Sequence, residues 1–141
     1  MKLSEAANRV IDLSRKIYDY YSAELPKRHP NYPLVGPDDE ETPPPPEEAE
    51  LSGFLATLPD DLIYQLVLLM DLGRGYARPD DLAGYYETLP DTVGDPGQAA
   101  SHMMVFMATL ADEIADGLAE LRKHKINVDR LPLKKSKARK Q

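Results

Sequence analysis

Between residues 62 and 72 the chain reads LIYQLVLLMDL, with only Gln65 and Asp71 clearly polar. Leu62, Ile63, Leu66, Val67, Leu69, Met70 and Leu72 wrap the full circumference of a helix drawn through this stretch. A helix that is apolar on nearly every side must be covered by neighbours, so the pattern predicts a buried central element. A buried strand also fits a short apolar run, but the residues before it favour a helix. Thr57 is placed to cap the N-terminus, Pro59 falls in the first turn, and Asp60 and Asp61 suit the positive end of the helix dipole. At the other end Gly73 predicts a stop in the left-handed conformation, and Gly75 lets the chain turn again. The run is far shorter than the roughly 20 residues that span a bilayer, which excludes a membrane helix here.

The flanking segments supply the cover. Residues 3–25 place Leu3, Ala6, Val10, Leu13, Ile17 and Tyr20 at three- and four-residue spacing, one apolar stripe of a long helix that Pro26 should end. Residues 26–46 hold eight of the thirteen prolines and the acidic run 38–41, a loop without regular structure. Within it Tyr32, Pro33, Leu34 and Val35 form the one apolar patch able to pin it to the body. Residues 47–57 read as a short helix with Leu51, Phe54 and Leu55 on one face. Beyond Gly75, Pro79, Asp80 and Asp81 start another, with Leu82, Tyr85, Tyr86 and Leu89 facing inward and a turn over 90–94. Asp95 and Pro96 then open a last helix running to about residue 125, with Met103, Met107, Leu110, Ile114, Leu118 and Leu121 in register.

The prediction is an all-α, compact bundle of about five helices around a buried central one. At 141 residues one domain is expected, over 1–127 and including the 26–46 loop, followed by a basic, disordered tail over 128–141. Charge sharpens that division. The net charge of −7 hides nine basic residues and one acid from Arg122 onward, so that end is near +8 and the preceding part near −15. Such a body repels nucleic acid while the arm attracts it; Arg130, Lys134, Lys135, Lys137, Arg139 and Lys140 are the candidate phosphate contacts. The chain has no cysteine, which removes disulfides and thiolate metal sites. No apolar run suited to secretion follows the first methionine, so a cytoplasmic location is expected.

Candidate chemistry is sparse. Arg74 lies between Gly73 and Gly75 on a tightly directed segment, where its guanidinium suits either an anionic ligand or an internal carboxylate. Asp112, Asp116 and Glu120 recur at four-residue spacing, but no Glu carries a His three residues on, so they read as a solvated face rather than a metal site. His29, His102 and His124 are scattered, and no HExxH or nucleophile elbow is present. No cofactor is expected. The tyrosines at 18, 20 and 21 read as the wide end of a core, and Met103, Met104 and Met107 as core filling with some capacity to form an adaptable groove. A helix-turn-helix outline over 60–89 lacks a basic recognition helix and places two aspartates where phosphates would lie.

Leu72-Gly73-Arg74-Gly75 after an apolar helix, and Leu110-Ala111-Asp112 followed by Gly117-Leu118, resemble a bacterial family of small proteins classed only as a domain of unknown function. The likeness extends to an opening amphipathic helix and covers roughly residues 3 to 121. It implies an all-helical fold and an ion pair between Arg74 and Asp112 that locks the central helix to the last one; it implies no activity or cofactor. The expected function is a non-enzymatic interaction module that binds a protein partner or forms a homodimer, with no membrane contact. Alternatives are a nucleic-acid-associated protein tethered by its tail, and a small enzyme using Arg74 with nearby carboxylates or His102.

Overall fold

The computed structural model describes residues 1–29, 31–34 and 42–132. Among them are six α-helices and two single 3-10 turns, with no strand. The helices are α1 (Leu3–Arg28), α2 (Pro46–Thr57), α3 (Asp60–Gly73), α4 (Leu82–Val93), α5 (Pro96–Val105) and α6 (Leu110–Lys123). None of the described helices is long and apolar enough to cross a membrane.

The apolar wrap of α3 is used on every side. From Leu62 to its end only Tyr64, Gln65 and Gly73 are not buried; α1, α4, α5 and α6 pack around it, and α2 packs on α1 and α5. Thr57 does not cap it. Thr57 belongs to the last turn of α2, where its hydroxyl donates to the Phe54 carbonyl (2.7 Å), and Leu58 and Pro59 are the whole connection.

The closest helix pair is α3 with α6. A methyl group added at Gly73 would overlap the Glu113 carbonyl oxygen, and one at Gly117 would overlap the Leu69 carbonyl. The two backbones therefore touch, and Gly73 is needed for that approach, not for a left-handed stop. It is the last residue of the helix, and the left-handed position falls at Gly75 (φ +83°).

The stripe of α1 is buried from Leu3 to Ile17, joined by Ala7, Ile11 and Ser14, while Tyr20 at its end is only partly covered. Pro26 does not end it. Proline lacks an N–H and removes one helical hydrogen bond, which a final turn tolerates, and α1 continues to Arg28 with the His29 N–H on the Leu25 carbonyl (2.9 Å). The proline-rich segment is fastened by tyrosines rather than by its own apolar patch. Tyr20 donates to the Pro43 carbonyl (2.6 Å) and Tyr21 to Glu48 (2.8 Å), whereas Tyr32 and Leu34 are exposed and Val35 lies outside the described residues. Likewise α4 runs through Pro90 to Val93 before Gly94 (φ +88°) ends it.

The expected last helix is two. Asp95 caps α5 as read, accepting from the Gln98 N–H (2.8 Å) while Gln98 accepts from the Asp95 N–H (2.9 Å). The helical ladder then breaks over 106–109. Ser14, fully buried on α1, fills the break: its hydroxyl donates to the Met107 carbonyl (2.6 Å) and accepts from the Ala111 N–H (2.9 Å). A hydroxyl from another helix satisfies two backbone groups that a continuous helix would have paired internally.

The folded unit also extends past the expected boundary at 127. A 3-10 turn, Val128–Arg130, holds Asp129 against Ser4 (2.9 and 3.0 Å), and Leu131 is buried with its carbonyl on the Gln65 amide (2.9 Å). Arg130 is exposed; Lys134, Lys135, Lys137, Arg139 and Lys140 lie outside the described residues.

Candidate functional site

Two places gather side chains in a way that packing alone does not demand. The first is the turn that closes α3. Its ending is a Schellman motif: the Tyr76 N–H bonds the Asp71 carbonyl (2.8 Å) and the Gly75 N–H bonds the Leu72 carbonyl (3.1 Å). Arg74 is the cap residue between them. This geometry brings together Asp71, Arg74, Tyr76, Tyr85, His102 and Phe106, from α3, α4, α5 and the α5–α6 break.

Asp71 is 6% exposed and accepts a hydrogen bond from the Tyr85 hydroxyl (2.7 Å). Burial holds its carboxyl above the usual carboxylate range, opposed by the Tyr85 hydrogen bond and by the charges of His102 and Arg74. The Tyr85 phenol is itself pushed far above its ordinary value, first by burial and then by the Asp71 carboxylate. A buried carboxylate already committed to a phenol is a structural polar pair, not a base facing a substrate.

Arg74 does not pair with Asp112. Its guanidinium carbon sits 4.4 Å from the Phe106 ring centroid and 4.9 Å from that of Tyr76. Cation–π contacts of this kind contribute about 0.5–2 kcal/mol, depending on desolvation. The Schellman turn directs Arg74 toward the α5–α6 break, while Asp112 is exposed in the first turn of α6 and the Glu113 backbone faces Gly73 instead. The Leu72–Gly75 sequence and Gly117 are thus accounted for by chain turning and helix approach. Asp71 and Tyr85 were not singled out from sequence. The signal was a lone acid inside an otherwise apolar helix, which burial makes costly unless a donor meets it.

The second place is a groove of 570 Å³ between α2 and α5. Ala49, Ser52 and Ala56 line one wall, and Gly97, Ala100 and Ser101 the other. Leu55 and Met104 supply larger apolar surface, and Pro44 and Pro45 line it as well. Met103, by contrast, points into the core and is fully buried. The α2 side is acidic, with Glu48 in the lining and Glu47 adjacent in sequence, while Glu50 pairs with Arg9 of α1 (3.2 Å). Among the described residues, no three His, Asp or Glu side chains gather as metal ligands. Comparison with protein-family models, curated proteins and solved structures found no match.

Proposed function

We propose that this chain is a non-enzymatic helical binding module whose receptor surface is the α2–α5 groove, and that it takes an apolar, basic-flanked helix from a protein partner. The carrying observation is the groove itself: 570 Å³ walled by alanine, serine and glycine on two helices and lined also by Leu55 and Met104. Small walls admit side chains from an incoming amphipathic helix, whose apolar residues recur every three or four positions. Methionine adapts to the shapes such residues bring. Charge selects the flanks of the partner. Glu48 in the lining, Glu47 beside it and the acidic part of the chain before Arg122 favour lysine and arginine beside the apolar positions, and disfavour the same acidic surface of a second copy.

The test is fluorescence anisotropy with a labelled amphipathic leucine–lysine helix, beside a scrambled peptide of equal composition. Saturable binding of the patterned peptide alone is expected. Ser52→Trp, which fills the groove from an exposed position, should abolish it while leaving thermal unfolding unchanged. Equal binding of the scrambled peptide, or undiminished binding by Ser52→Trp, overturns the proposal. Sedimentation of the protein alone at high concentration gives the competing outcome. A dimer dissociated by Ser52→Trp would assign the groove to self-association.

A further inference from the structure

Arg74 is half-buried at the cap of α3, and two aromatic rings fix its position. Its N–H edge is left over. A guanidinium carries five donors in a rigid fork, and among the described residues none of the Arg74 donors meets an acceptor at hydrogen-bond or ion-pair distance. The neighbouring carboxylate, Asp71, has turned its oxygen to Tyr85 instead (2.7 Å). His102 packs edge-on against Phe106, with ring centroids 5.4 Å apart, and adds a second basic group to the cluster. Tyr76, directly beside the guanidinium, is 62% exposed as a residue.

We propose that the Arg74 fork is a binding site for the carboxylate of a small organic monoanion whose apolar body lies along the exposed edge of Tyr76. A planar carboxylate meets the two parallel N–H groups of a guanidinium bidentately, and the aromatic contacts hold that fork ready. The surroundings choose a single negative charge over two. Asp71 is close enough for its charge and that of Arg74 to act on each other. The C-terminal carbonyls of α3 turn the negative end of the helix dipole toward the same cap. A dianion such as phosphate meets that field twice over, while a monocarboxylate with an apolar ring meets it once and gains contact with Tyr76. The site is open, so its affinity is on the order of millimolar.

The experiment is an NMR titration of the full chain with sodium benzoate, and separately with inorganic phosphate, each against sodium chloride at matched ionic strength. The Arg74 Nε–Hε and Tyr76 ring resonances are followed. Benzoate should shift both saturably, with phosphate binding about tenfold more weakly. In Arg74→Lys, which keeps the charge and loses the fork, the Tyr76 shift should require about tenfold more benzoate. Tyr76→Ala keeps the guanidinium and its Phe106 contact, and should weaken benzoate several-fold more than it weakens acetate. This second variant also answers the question if Arg74→Lys does not fold. The proposal is overturned if neither resonance moves beyond the chloride control, or if phosphate matches benzoate. Retained affinity in Arg74→Lys, or an unchanged benzoate affinity in Tyr76→Ala, also overturns it.

Discussion

Helices α3 and α6 cross on small residues, and so do α2 and α5, with opposite results. At the first crossing, Gly73 and Gly117 let two backbones touch, and nothing larger than hydrogen fits. At the second, alanine, serine and glycine walls stand apart and leave 570 Å³ open, and a methyl group added at Gly97 on the α5 wall would meet only the Asp95 carboxylate, at ordinary contact distance (3.4 Å). The same residue class therefore closes one interface and hollows the other. What differs is the partner: a bare carbonyl across from Gly117, open space across from the groove wall that holds Gly97. A small residue on a helix face states that space exists; only the opposing element decides whether the fold fills it.

Breaking the closed crossing should have the largest effect. Gly117→Ala gains about 1 kcal/mol of helix propensity but forces a methyl into the Leu69 carbonyl, and overpacking of this kind costs about 1–3 kcal/mol or more. With backbone as the obstacle the upper end is expected, so a net loss on the order of 2 kcal/mol or more should appear in urea denaturation. A variant as stable as wild type would mean that the helices separate freely. Ser14→Ala comes next. It strips the Met107 carbonyl and the Ala111 N–H of their shared partner, and leaving buried groups unsatisfied costs about 1–3 kcal/mol. Amide exchange should quicken first at Ala111.

The third effect depends on pH. Asp71 has its folded value raised above the ordinary 3.8, so the folded state holds this proton more tightly than the unfolded chain. Its contribution to stability is fully present below 3.8 and is lost as pH rises through the folded value, after which it stays constant. Asp71→Asn should flatten that segment of the stability–pH curve; an unaltered curve would show that Asp71 titrates as if unfolded. The smallest effect lies on the open side. Gly97→Ala, on the groove wall, meets only the Asp95 carboxylate at 3.4 Å and should stabilise by up to about 1 kcal/mol through helix propensity, the reverse in sign of Gly117→Ala. Equal shifts at the two glycines would remove the contrast.

The periodicity of the chain exposed the all-helical architecture, the central place of α3, the inner stripe of α1 and the Asp95 cap, because each is a local pattern of apolar spacing or hydrogen-bonding residues. The break at 106–109 was hidden for the opposite reason. MMVFMATL keeps helical spacing and contains no breaker, and the group that stabilises the interruption, Ser14, is 93 residues from Met107. Prolines misled at both helix ends where they sit in last turns, since the lost hydrogen bond there is a single one. Arg74 was recognised as a directed cation, but its direction follows from Gly75 rather than Gly73, and a shift of the left-handed residue by two positions sends the side chain to aromatic rings instead of Asp112. In the groove, small residues and a methionine were legible separately; that they face one another across open space is a property of tertiary placement.

Ser4 and Asp129, clasped at opposite ends of the described chain, stand 125 residues apart in sequence. A ribosome adding about 5–20 residues each second needs on the order of ten seconds to deliver the second after the first. Through that interval the apolar stripe of α1 has emerged without α6, and Ser14 waits for a carbonyl and an amide not yet made. Of the described helices, α1 is therefore the first made and among the last to be sealed.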